Sequence, residues 1–73
     1  MTKLQAKIVA FIREFIAKNG YSPSGDEIAK GVGTHATTAR LNVNELHRRG
    51  YLIKGDGVRN IWLPDEGHNV RAA

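Results

Sequence analysis

Apolar positions recur at helical spacing from the start of the chain. Leu4, Ile8, Phe11 and Phe15 form one stripe, and Val9, Ile12 and Ile16 widen it to nearly half of a helix surface. This pattern predicts an amphipathic helix over 3–19. Thr2 is placed to cap its first turn. Asn19-Gly20 closes it, because both residue types tolerate the left-handed conformation of a helix C-terminus. So broad a stripe predicts a central helix packed on two elements. The competing reading leaves Val9 and Ile16 exposed for dimerisation.

Tyr21-Ser22-Pro23 reads as a turn. Ser24 and Glu27 stand three apart, as a capping box requires, and two acids, Asp26 and Glu27, suit the positive end of a helix dipole. These acids therefore need no catalytic explanation. A short second helix follows with Ile28, Ala29 and Val32 inward, weakened by Gly31 and ended by Gly33. Thr34 or His35 caps a third helix, 35–49, whose inward stripe is Ala36, Ala39, Val43 and Leu46. Arg48-Arg49 suits its C-terminal end and Gly50 closes it.

Beyond Gly50 the period changes. Tyr51–Lys54 and Val58–Leu63 are rich in β-branched and aromatic residues. Gly55-Asp56-Gly57 between them predicts a hairpin with a three-residue loop. Pro64 ends the second strand, and 65–73 has no periodicity and is expected to be a disordered tail. The predicted class is α+β: a winged helix-turn-helix, with three helices and then a two-stranded β-hairpin wing, in one domain over 1–64.

The helix-turn-helix reading rests on Ala29, Gly33 and Ala39. A small residue permits close helix approach, glycine four residues later makes the turn, and a small apolar residue six further seats the second helix. On the opposite face of that helix, Thr37, Leu41, Asn44 and Arg48 form an outward stripe. Arg40 flanks it on one side, with Thr38 and Glu45 on the other. Most of these side chains hydrogen-bond base edges or phosphates. Leu41 is the exception, an apolar residue on a polar face, which a thymine methyl or a protein partner would explain.

Composition bounds these readings. The 73 residues allow one small core, and without cysteine neither a disulfide nor a thiolate metal site can reinforce it. No signal-peptide pattern is recognised at the start, and no apolar run approaches the roughly 20 residues of a membrane span. The net charge is +4. From Arg40 to Arg59 five basic residues (Arg40, Arg48, Arg49, Lys54, Arg59) oppose two acids (Glu45, Asp56). This distribution favours a polyanion against the third helix and hairpin, and makes affinity salt-dependent. Asp56 at the loop tip disfavours a phosphate there, so Lys54 and Arg59 are the expected hairpin contacts. His35, His47 and His68 lack the spacing of a metal set. No nucleophile–base pair or phosphate-cradling loop stands out, so no enzymatic activity, cofactor or small-molecule substrate is expected. Trp62 could stack on a base, but the favoured reading places it in the core.

Asn19-Gly20-Tyr21-Ser22-Pro23-Ser24, Glu27-Ile28-Ala29, Val32-Gly33 and Leu46-x-Arg48-Arg49-Gly50-Tyr51-Leu52-Ile53 together resemble the N-terminal DNA-binding domain of LexA repressors, over roughly Leu4 to Leu63. The resemblance implies a bacterial or phage transcription regulator that is cytoplasmic and reads the major groove of double-stranded DNA with its third helix. Carried over, His35, Thr37, Thr38, Arg40 and Leu41 fall where the family's base-contacting residues lie. The family has an asparagine and an acidic pair in that region where this chain has Thr37, Arg40 and Leu41, and the connection into the helix is one residue shorter. This implies a different operator from the family's usual one. LexA repressors also carry a self-cleaving Ser-Lys protease domain that dimerises. The 73 residues have no room for it, so the chain reads either as free-standing or as part of something longer.

Base contacts are thus expected from His35, Thr37, Thr38, Arg40, Leu41 and Asn44, and phosphate contacts from Arg48, Arg49, Lys54 and Arg59. A homodimer on paired half-sites would supply tight binding. The alternative is a protein-interaction module that docks through Leu41 or the first-helix face. Recognition of Z-form nucleic acid fits less well, because Arg40 and Asn44 do not match the asparagine and tyrosine expected there.

Overall fold

Thr2 opens the first helix, α1 (Lys3–Asn19), in a computed structural model that describes residues 1–55 and 60–64. Thr2 Oγ1 accepts the Gln5 N–H at 3.1 Å, and Gln5 Oε1 accepts the Thr2 N–H at 3.2 Å. The second helix, α2 (Gly25–Val32), opens the same way: Ser24 Oγ accepts from Glu27 N at 3.1 Å, and Glu27 Oε1 from Ser24 N at 2.9 Å. Each box satisfies amides that the first helical turn leaves without an intrahelical partner. Gly20 and Gly33 end these helices at φ +80° and +76°, where a side chain would be strained.

The third helix, α3 (Ala36–Arg48), has His35 at its N-cap position, but the imidazole makes no capping hydrogen bond. Its far end is a Schellman turn. Gly50, at φ +87°, donates to His47 O at 3.0 Å, and Tyr51 N–H reaches Leu46 O at 2.9 Å.

The wing is shorter than expected. Strands β1 (Ile53–Lys54) and β2 (Ile61–Trp62) pair antiparallel, with Ile53 opposite Trp62 and Lys54 opposite Ile61. A three-residue loop at 55–57 would set Val58 opposite Lys54, so that expectation is corrected. Gly55 N–H instead bonds Asn60 O at 2.8 Å. The reasons are tertiary. Tyr51 N–H is taken by the helix exit, so pairing starts only beyond it, and the Leu52 carbonyl, which faces away from β2, accepts from His47 Nδ1 at 3.1 Å. On the other strand, the buried Ser22 Oγ takes the Ile61 N–H at 3.3 Å. An odd register shift would reverse which side chains face inward. The expected loop residues Asp56 and Gly57, the first residues of the longer second strand (Val58, Arg59), and the tail 65–73 lie outside the described residues.

Ile8, Ile12 and Ile16 of α1 sit at the centre of one core. Ile28 and Ala29 close it from α2, Ala39, Val43 and Leu46 from α3, and Leu52, Ile61, Trp62 and Leu63 from the wing. α1 is therefore the central helix: Ile16 is buried and Val9 half-buried, which removes most of the proposed dimer surface. Trp62 is in the core, as favoured. Ala36 is exposed, contrary to its place on the inward stripe. It belongs to the first turn of α3 and lines a cleft facing the wing rather than the core. Gly31 has a role beyond lowering helix propensity: the Phe11 ring lies against it, with Cδ1 only 2.6 Å from where a Cβ would stand.

Candidate nucleic-acid interface

α3 presents the outward face that its sequence pattern describes. Thr37, Arg40, Leu41, Asn44 and Arg48 are exposed, His35 is exposed at the cap, and Thr38 is half-buried. Leu41 is 62% exposed, more than Met1, Tyr21, Tyr51 or Ile53. Ala39, Val43 and Leu46 tie the opposite face of the helix to the core, so the outward stripe stands on a rigid support.

That support has a polar component which sequence reading missed. Gln5, 7% exposed, donates from Nε2 to Asn42 Oδ1 at 3.1 Å. Asn42 Nδ2 in turn donates to Thr38 O at 2.9 Å. One glutamine therefore completes the α1 capping box and braces the flank of α3. The Thr2-x-x-Gln5 spacing signals the first task; nothing local signals the second, because Gln5 and Asn42 are 37 residues apart.

The basic residues do not all stand alone. Arg49 Nε lies 2.6 Å from Glu45 Oε2, and Arg48 Nη2 bonds Glu45 Oε1, so one carboxylate holds both guanidinium groups. The i, i+3 and i, i+4 spacings of Glu45, Arg48 and Arg49 are the sequence signal for these pairs. On the wing, Lys54 Nζ donates to Asn44 Oδ1 at 2.6 Å. Arg40, Asn44 and Lys54 line one cleft of about 190 Å³ between the start of α2, α3 and the wing, floored in part by Val43 and Ile61. Arg59 lies outside the described residues.

His47, expected on the surface, is exposed, but its ring also staples α3 to the wing. The Leu52 carbonyl can only accept, so Nδ1 carries the proton in that bond. Among the described residues, no three His, Cys, Asp or Glu side chains gather as a metal site would require. No helix among them is long and apolar enough to cross a membrane.

This arrangement has relatives. The sequence profile of the LexA DNA binding domain matches residues 1–58. A LexA repressor of Syntrophobacter fumaroxidans is 35% identical over 63 residues, covering 85% of this chain and 28% of that protein. The LexA repressor of Thermotoga petrophila is 40% identical over 57 residues, 78% of this chain and 29% of its own length. That of Pseudothermotoga lettingae is 31% identical over 71 residues, 97% of this chain and 36% of its own. The chain thus spans about a third of these relatives or less. With the helix-turn-helix spacing, the wing and the profile match in agreement, the chain belongs to the LexA DNA-binding domain family.

Proposed function

We propose that this chain binds double-stranded DNA sequence-specifically, as the DNA-binding domain of a bacterial or phage transcriptional regulator acting in the cytoplasm. α3 enters the major groove and the wing follows the sugar–phosphate backbone. The observation that carries this reading is the exposed face of α3, where hydrogen-bonding side chains surround Leu41 and cations stand at both the helix end and the wing. His35, Thr37, Thr38, Arg40 and Leu41 face base edges, with Asn44 at the wing side of the same surface. Arg48, Arg49, Lys54 and Arg59 supply phosphate contacts. A single domain of this size reads a short half-site, so two copies on paired half-sites give tight binding.

Selection from randomised duplex DNA, followed by salt titration, tests the reading. A motif should emerge whose symmetry reports the number of copies bound. Arg48→Ala should weaken all sequences alike, whereas Thr37→Ala or Arg40→Ala should change preference at particular base pairs, by about 1–3 kcal/mol each. Enrichment of no motif would refute specific readout. The exposure of Leu41 also suits a second reading, a protein-docking surface. Protein binding that persists in high salt, with no DNA shift at low salt, would select it.

A further inference from the structure

We infer that Asn44 is a positioning residue which holds Lys54, and with it the wing, at a set distance from the base-reading face of α3; this deepens the DNA-binding reading and rests on it. Asparagine in a major-groove helix ordinarily reads adenine with both ends of its amide, Oδ1 accepting from N6 and Nδ2 donating to N7. Here Oδ1 is already turned to the wing, 2.6 Å from Lys54 Nζ. That bond engages one lone pair of Oδ1 on the wing side, so reading adenine with both ends of the amide would require sharing that oxygen or releasing Lys54.

The surroundings explain why such a tie matters. Between α3 and the wing lies the cleft of about 190 Å³ that both side chains line. Val43 and Ile61 pack at the floor of this gap and seat the base of the wing, while Asn44 and Lys54, which also line it, are joined by a hydrogen bond. Among the described residues, two further polar ties of the wing lie elsewhere: His47 to the Leu52 carbonyl at its base, and Ser22, on the loop before α2, to the Ile61 amide. Asn44–Lys54 is a tie on the side that carries the base-reading stripe. Lysine has three donor hydrogens and this bond uses one. The exposed ammonium keeps two for a phosphate, and the bond draws it toward the stretch of α3 where Arg40 and Leu41 stand one turn earlier.

A double-mutant cycle of Asn44→Ala and Lys54→Met, read on the selected DNA and on its single-base variants, tests this. Both residues are exposed, and thermal unfolding followed by circular dichroism confirms that each variant is folded. Asn44→Ala should weaken binding about threefold to fivefold on every sequence. It should leave the base-preference profile unchanged and flatten the log–log salt slope by up to about 0.9. In the Lys54→Met background it should do almost nothing more. Loss of preference confined to one base pair would overturn the inference and make Asn44 a base reader. So would effects of the two substitutions that simply add. Failure of the wild-type chain to shift any DNA at low salt would instead overturn the DNA-binding reading itself.

Discussion

Gly31→Ala should destabilise the domain even though alanine is the better helix former, and Phe11 should decide the sign. Glycine in a helix costs up to about 1 kcal/mol relative to alanine, so on propensity alone the substitution stabilises. At this position the new Cβ would overlap the Phe11 ring, whose Cδ1 is 2.6 Å away. The ring must swing out. A fully buried phenylalanine is worth about 1.5–3 kcal/mol, and half-buried Phe11 about half of that. Its tilted contact with Phe15, centroids 5.8 Å apart, adds roughly 0.5 kcal/mol. Subtracting a propensity gain of about 1 kcal/mol leaves a net loss of about 0.3–1 kcal/mol, or roughly 1–8 °C in Tm for a domain of this size. In a Phe11→Ala background the obstacle is gone and Gly31→Ala should stabilise by up to about 1 kcal/mol. Urea unfolding of the four proteins measures the cycle. If Gly31→Ala stabilises in both backgrounds, the close approach of α1 and α2 at this point is not what glycine serves.

Three further outcomes follow from the interface. Glu45→Gln releases Arg48 and Arg49 and removes a negative charge from the proposed DNA-binding face; affinity should rise roughly twofold to tenfold at low salt and the gain should shrink at high salt, for a stability loss of about 1 kcal/mol or less. Unchanged affinity by fluorescence anisotropy would mean that neither arginine meets phosphate. Leu41→Ala should lose about 0.8 kcal/mol or more against a site whose thymine it covers, and should abolish the penalty for replacing that thymine with uracil; if wild type and variant respond alike to uracil at every position, Leu41 reads no methyl. Ser22→Ala leaves the buried Ile61 amide without its acceptor and should cost about 1–3 kcal/mol, with faster hydrogen exchange at Ile61; undiminished protection there would argue that Ser22 does not pin the wing.

The helices were legible because their signals are local. Thr2, Ser24 and Glu27 act within one turn of themselves, Gly20 and Gly33 act through their own φ, and the 3.6-residue period of Ile8, Ile12 and Ile16 marks a buried face wherever that face is later covered. The outward stripe of α3 was legible for the same reason, being the complement of Ala39, Val43 and Leu46. Tertiary structure decided the rest. The wing depends on the Schellman exit, which takes the Tyr51 N–H, and on Ser22 and His47, which satisfy the Ile61 N–H and Leu52 carbonyl that the ladder leaves facing outward. The brace from Gln5 to Asn42 and the tie from Lys54 to Asn44 join residues that only packing brings together. Periodicity specifies which side of a helix is buried; it carries no information about what a polar side chain on the other side will reach, because that depends on the placement of a separate element in space.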